Sequence, residues 1–233
     1  MTVVLVTGTG TDIGKTIATA ALATALRGAG KEVHVVKPIQ TGVPGKDGGD
    51  LDTVRDLTGE TNLHGFERYP EPMAPVAAAQ RAGMRLPEVG EIAEKIRLID
   101  AAGSNRVVLV EGAGGLLVRL GEDWALPELA GHLPGHQMVV VTRLDLGCLN
   151  EAELTVEVAR GRGVEVTALL GGKLPAQTDP IIETNLEQLP RITGLPLLGS
   201  AADGAGELDR ETFEAQAPGW FEEAALREWI AKL

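Results

Sequence analysis

The sequence lacks most features that mark secreted or membrane-embedded proteins. It has a single cysteine, Cys148, so no internal disulfide bond can form, which is typical of a reducing compartment. No apolar run approaches the roughly 18 residues that a membrane-spanning helix needs. Residues 1–8 have neither the charged region nor the cleavage site of a signal peptide. We therefore expect a cytoplasmic protein with no membrane partner.

Positive charge is also scarce. The chain has 21 Lys and Arg against 33 Asp and Glu, a net charge of −12, and no basic run stands out. This balance argues against a nucleic-acid partner. Any anionic phosphate would have to be bound by local positive groups. The length of 233 residues suits one large core, and we expect a single domain over residues 1–233.

Short apolar runs alternate along the chain with longer helical patterns. This alternation predicts an α/β fold with a doubly wound, mostly parallel sheet, helices on both faces and the architecture of P-loop nucleoside triphosphate hydrolases. Strands are predicted over 2–7, 32–38, 106–112, 136–142, 164–172 and 195–200, and helices over 15–30, 87–101, 149–162, 180–189 and the C-terminal segment 218–233. Region 40–80 is rich in Gly and Pro and is predicted to be irregular.

The segment TGTGTDIGKT (7–16) lies between the first predicted strand and the first predicted helix. It resembles a phosphate-binding loop but has one residue too many between Gly8 and Gly-Lys-Thr. A helix N-terminus attracts phosphate, Lys15 supplies charge to the β and γ phosphates, and the Thr16 hydroxyl suits Mg²⁺. The alternative is a glycine-rich turn capped by its own Thr or Asp. We predict that the nucleotide-binding residues are Gly8, Gly10, Thr11, Asp12, Ile13, Gly14, Lys15 and Thr16.

Further charged residues follow other predicted strands. Glu111 ends the strand RVVLVE and precedes a Gly-rich loop, which is typical of a metal-binding carboxylate, although it could be an exposed strand-end residue. Asp50 or Asp52 could be a second metal ligand, and the other could be a helix cap or a surface charge. Lys37 ends the second predicted strand, so it is expected near Lys15, where two lysines would stabilise charge on a transferring phosphoryl group.

Together these segments resemble the dethiobiotin synthetase family. The resemblance covers most of the chain and is strongest over residues 1–160. It rests on the phosphate loop with its extra residue, GTGTDIGKT, and on the segments VKPIQTG, EPMAPVAAA, VLVEGAGGLLV and LGCLNEAELT. The family's loop is one residue longer than the usual pattern, so the mismatch at the start of the chain is itself a family signature.

The resemblance implies an ATP-dependent ligase of biotin synthesis that joins 7,8-diaminononanoate and CO₂ or bicarbonate into dethiobiotin. It implies a homodimer whose substrate site lies at the interface. It also implies that catalysis depends on Lys37, Lys15 and Thr11, that Mg²⁺ is held by Thr16, Asp50 and Glu111, and that substrate is bound by Thr41, Lys37, Gly114, Cys148, Leu149 and Asn150. In this comparison Asp50 aligns better than Asp52 with the family's aspartate.

Some positions depart from the family pattern. Gly10 stands where the family usually has Asp, segment 172–174 lacks the Asn that commonly reads adenine, and segment 200–203 lacks the usual Pro. We therefore expect ATP as co-substrate but a relaxed nucleotide preference that also admits CTP or GTP. A partition- or septum-type ATPase of similar fold remains the alternative, although positions 8–13 lack the extra lysine of those proteins.

Overall fold

The computed structural model describes residues 2–45 and 48–233. Within these ranges the chain forms seven strands, nine α-helices and two short 3₁₀ turns, 205–207 and 217–220. The strands are β1 (Val3–Gly8), β2 (Glu32–Thr41), β3 (Leu63–Tyr69), β4 (Arg106–Glu111), β5 (Gln137–Thr142), β6 (Val166–Leu174) and β7 (Leu197–Ala202). The helices are α1 (Lys15–Gly28), α2 (Asp50–Thr58), α3 (Pro75–Ala82), α4 (Val89–Ala101), α5 (Leu126–Gly131), α6 (Cys148–Gly161), α7 (Pro180–Thr193), α8 (Arg210–Gln216) and α9 (Glu223–Ile230).

All seven strands form one parallel sheet in the order β3-β2-β4-β1-β5-β6-β7. β1 lies at the centre, and the chain winds from it toward both edges, which confirms the predicted doubly wound fold. In such sheets ligands bind beyond the carboxyl ends of the central strands, where the direction of winding changes. β1, β2 and β4 therefore direct their last residues toward a common edge.

Helices cover both faces of the sheet. Successive residues of β1 are buried on opposite sides, Val3 and Leu5 in one apolar cluster and Val4 and Val6 in the other. One cluster includes residues of α3 to α7, and the other includes residues of α1, α2, α8 and α9. This explains why the central strands are apolar throughout. None of the helices formed by the described residues is long and apolar enough to cross a membrane.

The predictions for region 40–80 and for the second strand need correction. The region contains α2, β3 and α3 as well as loops. β3 was missed because it is a half-buried edge strand without a continuous apolar run. β2 also runs through Pro38, where it was expected to stop. Its pairing with β4 ends at Val36, and a proline is tolerated where a strand has no partner on that side.

The predicted C-terminal helix is interrupted. A 3₁₀ turn ends at Trp220, Phe221 is extended, and α9 begins only at Glu223. Phe221 forms an antiparallel bridge with Gly199 of the edge strand β7, and the N–H of Glu222 donates to the carbonyl of Leu198. These contacts cover part of an open sheet edge, and the helical periodicity of the segment does not reveal them.

Candidate active site

The phosphate loop connects β1 to α1 at the centre of the sheet. Gly8 is the last residue of β1, and Gly14 caps α1 in a left-handed conformation with φ 96°. No side chain caps this helix, so the alternative of a turn capped by Thr11 or Asp12 is wrong. The unpaired N–H groups of the first turn therefore face the loop and form an anion-binding end.

The loop is held against the end of β6 by two glycines. A Cβ atom on Gly14 would lie 2.4 Å from the carbonyl oxygen of Gly172, and one on Gly172 would lie 1.5 Å from the carbonyl oxygen of Ile13. Backbone groups are in contact here, so no larger residue fits without displacing the loop or the strand. No local sequence pattern predicts the role of Gly172, because it depends on a contact across about 160 positions of the chain.

The first two residues of α1 carry the polar groups of the site. The ammonium group of Lys15 donates to the carbonyl oxygen of Gly10 at 2.9 Å, so the lysine curls back over the loop. Burial lowers the pKa of Lys15, although nearby Glu111 opposes this effect. The hydroxyl of Thr16 donates to Oε1 of Glu111 at 3.0 Å and ties α1 to the end of β4.

Lys37 is the centre of a buried ion cluster. Its ammonium group contacts Oε1 of Glu111 at 2.9 Å, the carbonyl oxygen of Gly112 at 2.8 Å, and Oδ2 of Asp50. The side chains of Lys37 and Glu111 are only 4% and 2% exposed. The alternatives of a solvated strand-end lysine and an exposed strand-end glutamate are therefore wrong.

The charges in the cluster affect one another. Burial alone would lower the pKa of Lys37, but Glu111 and Asp50 outweigh it and raise the pKa above its ordinary value. Complete burial raises the pKa of Glu111. Burial also acts to raise the pKa of Asp50, but the ammonium group of Lys37 outweighs it, so that pKa is lowered. The lysine thus remains charged, and Asp50 is its more readily ionised partner.

Asp50 and Asp52 have different surroundings. Asp50 is the first residue of α2, and its N–H donates to the side-chain oxygen of Gln40 at 3.0 Å. Asp52 does not line the cavity and pairs with Arg55, with 2.5 Å between carboxylate and guanidinium atoms. The helix cap is Gly49, so Asp52 is a surface charge rather than a cap. Gln40, which positions Asp50 through this hydrogen bond, belongs to no recognisable motif and was not predicted from the sequence.

These groups surround one cavity of about 460 Å³. It brings together ten of the predicted site residues: Thr11, Asp12, Gly14, Lys15, Thr16, Lys37, Thr41, Asp50, Glu111 and Gly114. Ile17, Ile39, Gln40, Ala113 and Lys173 complete the lining and were not predicted. Gly8, Gly10 and Ile13 belong to the phosphate loop but do not line the cavity, and Ile13 is buried.

The remaining predicted residues, Cys148 to Asn150, lie at the start of α6, outside this cavity. Cys148 is fully buried, and burial raises the pKa of its thiol to about 11, so it is a packing residue and not a nucleophile. Near this helix Leu146, Leu154 and Leu117 are 78%, 57% and 44% exposed. A shallow, mainly apolar depression of about 410 Å³ lies between Leu117 and Leu154 and reaches Thr9 of the phosphate loop.

Comparisons with known proteins agree with this geometry. Over residues 2–201 the chain matches the family described as an AAA domain. It is 49% identical over 221 residues to the ATP-dependent dethiobiotin synthetase of Corynebacterium kroppenstedtii, which covers 95% of this chain and 94% of that protein. It is 42% identical to the ATP-dependent dethiobiotin synthetase of Rhodococcus jostii, over 100% of both chains.

Two solved structures have a similar fold. The MinC:MinD cell division protein complex of Aquifex aeolicus superposes with a TM-score of 0.61 at 12% identity, covering 99% of this chain and 96% of that chain. The ParA family ATPase of Chlorobium tepidum superposes with a TM-score of 0.57 at 15% identity, covering 99% and 97%. At such low identity these similarities show the fold alone.

Proposed function

The chain belongs to the ATP-dependent dethiobiotin synthetase family and is an ATP-dependent ligase, and we propose that its chemistry takes place in the cavity beside the phosphate loop. The observation that carries this proposal is the convergence of Lys15, Thr16, Lys37, Asp50 and Glu111 on one cavity at the carboxyl ends of the strands. The alternative of a septum-type ATPase rests on fold similarity alone, and the close relatives favour the ligase. We also propose that the whole chain acts as one domain.

The oxygen ligands at the cavity fit Mg²⁺. Among the residues that the structure describes, no group of three or more His, Cys, Asp or Glu could hold a metal ion. Mg²⁺ beside a nucleotide does not need such a group, because one or two carboxylates, a hydroxyl, phosphate oxygens and water suffice. Thr16, Asp50 and Glu111 would hold the ion, and its charge would offset that of the β and γ phosphates.

We assign the triphosphate to the phosphate loop. The N-terminal amides of α1 would bind phosphate oxygens, and Lys15 would turn from the carbonyl of Gly10 toward the β and γ phosphates. The base would lie near the last residues of β6, where Lys173 lines the cavity and the family's usual Asn is absent. These departures support a relaxed base preference that admits CTP or GTP as well as ATP.

The proposed reaction closes a ureido ring in three steps. CO₂ adds to one amine of 7,8-diaminononanoate and forms a carbamate with loss of a proton. A carbamate oxygen then attacks the γ-phosphorus, and ADP leaves. The second amine attacks the carbonyl carbon and loses a proton, phosphate leaves, and the ring closes. Lys37 and Thr11 both line the cavity, and we propose that they stabilise negative charge on the carbamate and the transferring phosphoryl group.

We further propose a cytoplasmic homodimer in which the substrate spans two subunits. Thr41 and Gly114 would contact the diamine end, and the carboxylate would reach the start of α6 in the partner subunit, because a helix N-terminus attracts carboxylates. The exposed side chains of Leu117, Leu146 and Leu154 support this arrangement. Leu117 and Leu154 line the depression beside Thr9 of the phosphate loop, and a second copy of the chain would cover this apolar surface.

The proposed activity can be tested directly. Purified protein is incubated with 7,8-diaminononanoate, bicarbonate, Mg²⁺ and each nucleoside triphosphate in turn, while phosphate release and the mass of dethiobiotin are followed. We expect diamine-dependent phosphate release with more than one nucleotide. Lys15→Gln should abolish it, whereas Lys31→Gln, at the opposite end of the sheet, should not. Hydrolysis that ignores the diamine would contradict the proposed chemistry.

The proposed dimer has its own test in analytical ultracentrifugation. Leu154→Glu places a charge on the apolar surface and should yield monomers with a raised KM for the diamine. Leu98→Glu is the matched control, because Leu98 is 67% exposed and belongs to α4, which contributes no residue to that depression. A Leu154→Glu protein that stays dimeric and keeps its KM would contradict the interface.

A further inference from the structure

The ammonium group of Lys37 occupies the place between the two carboxylates to which a metal ion was assigned above. It contacts Asp50 and Glu111 together, and the carbonyl oxygen of Gly112 takes its third N–H. All three donors of the lysine are therefore used. The oxygen of Glu111 that accepts from Lys37 also accepts from Thr16. One cation thus already contacts one oxygen of each carboxylate that would otherwise attract Mg²⁺.

The local charge is balanced in the same way. Asp12, Asp50 and Glu111 supply three negative charges, and Lys15, Lys37 and Lys173 supply three positive ones within the same cavity. A divalent cation entering alone would add charge to a neutral cluster and would have to displace a buried ammonium group from its acceptors. A metal ion entering with a nucleoside triphosphate brings its own negative charges, so the balance is kept.

We propose that Lys37 acts as an internal counter-cation that keeps divalent metal out of the Asp50–Glu111 site until a nucleotide arrives. Entry of the metal–nucleotide complex releases Lys37 from Asp50, and its ammonium group is then free to bind the anions that react. The inference rests on the metal site proposed above. The new element is that metal and nucleotide bind cooperatively and that Lys37 alone produces this coupling. By thermodynamic linkage, the nucleotide raises the affinity for the metal by the same factor by which the metal raises the affinity for the nucleotide.

The side chain of Lys15 provides a matched comparison. It carries the same charge and lines the same cavity, but its ammonium group donates to the backbone carbonyl of Gly10 and makes no hydrogen bond to Asp50 or Glu111. If only net charge controls metal entry, removing either lysine has the same effect. If the position of the ammonium group matters, only the removal of Lys37 opens the site.

The test measures metal binding without turnover. Mn²⁺ binding to the nucleotide-free protein is followed by electron paramagnetic resonance for wild type, Lys37→Met and Lys15→Met. We expect Lys37→Met to bind Mn²⁺ roughly 100-fold more tightly than wild type, because a unit charge beside the metal is lost from a poorly solvated site. Lys15→Met should tighten binding by less than about tenfold, since its charge lies farther from the carboxylates.

Two further arms keep the test decisive. If the Lys37→Met protein does not fold, the Lys37→Gln variant is measured instead, because its side chain keeps an N–H donor for the carboxylates but has no charge. A non-hydrolysable ATP analogue should strengthen Mn²⁺ binding to wild type much more than to the Lys37 variants. The inference is overturned if nucleotide-free wild type and the Lys37 variants bind Mn²⁺ with equal affinity. It is also overturned if Lys15→Met increases the Mn²⁺ affinity as much as Lys37→Met does. Failure of the proposed function gives a different result: the wild-type protein then forms no dethiobiotin, or it binds no Mn²⁺ in the presence of the ATP analogue.

Discussion

Gly14→Ala should disable the phosphate loop, whereas Gly10→Ala should not. Gly14 has φ 96°, and a Cβ atom there would lie 2.4 Å from the carbonyl oxygen of Gly172. Ordinary contact begins at 3.4 Å, so the loop or β6 must move by about 1 Å. A Cβ on Gly10 would lie 3.7 Å from Ile13, which is ordinary contact. Both substitutions replace a glycine of the same loop with alanine. Their comparison therefore distinguishes the effect of the local backbone geometry from the effect of losing a glycine.

The magnitude follows from two effects. A non-glycine residue held at this positive φ costs on the order of 1–3 kcal/mol, which in a chain of this length lowers Tm by roughly 2–4 °C per kcal/mol. A displacement of about 1 Å in a group that positions substrate reduces kcat/KM by roughly 100-fold. We therefore expect a lowered Tm and about 100-fold weaker catalysis for Gly14→Ala, and values within about threefold of wild type for Gly10→Ala.

The assay combines thermal melting with binding of a fluorescent ATP analogue and with phosphate release. Melting reports the strain, and nucleotide binding reports the displaced loop. If Gly14→Ala binds the analogue as wild type does, the close contact with Gly172 does not fix the loop, and the reasoning is refuted. If Gly10→Ala loses as much nucleotide binding and activity as Gly14→Ala, then a small residue is needed at both positions. The backbone conformation of Gly14 is then not the cause of the loss.

Three other predictions concern single groups. Thr16→Val should weaken Mg²⁺-dependent nucleotide binding at least about tenfold, while Thr24→Val, in the same helix but remote from the cavity, should not. Asp179→Ala removes a carboxylate that accepts from the backbone at the start of α7 and should cost about 1 kcal/mol in urea unfolding. Burial and the nearby His34 hold the pKa of His64 below its usual 6.5. The unfolded chain therefore binds this proton more readily than the folded protein does, so the free energy of unfolding should fall as the pH drops below about 6.5. This fall should be smaller in His64→Gln.

The sequence by itself determined the elements whose signal is local. The apolar run of β1, the loop 7–16 and the helical pattern of α1 are contiguous, so they predicted a phosphate-binding strand–loop–helix unit. Lys37 and Glu111 were predicted as site residues because each ends or nearly ends an apolar strand, and such strands meet at one edge of a parallel sheet. Most of the candidate residues could thus be named without knowing how the sheet is ordered.

Only the tertiary structure decided how these residues meet. Lys37, Asp50 and Glu111 belong to three elements, and their contacts join positions up to 74 residues apart. The edge strand β3 is half-buried, and the break before α9 follows from pairing with Gly199, so neither has a local periodic signal. Gly172 looks like an ordinary strand residue until β6 touches the phosphate loop. Local patterns predict elements because they follow backbone geometry, whereas the ion cluster depends on the order in which the strands assemble.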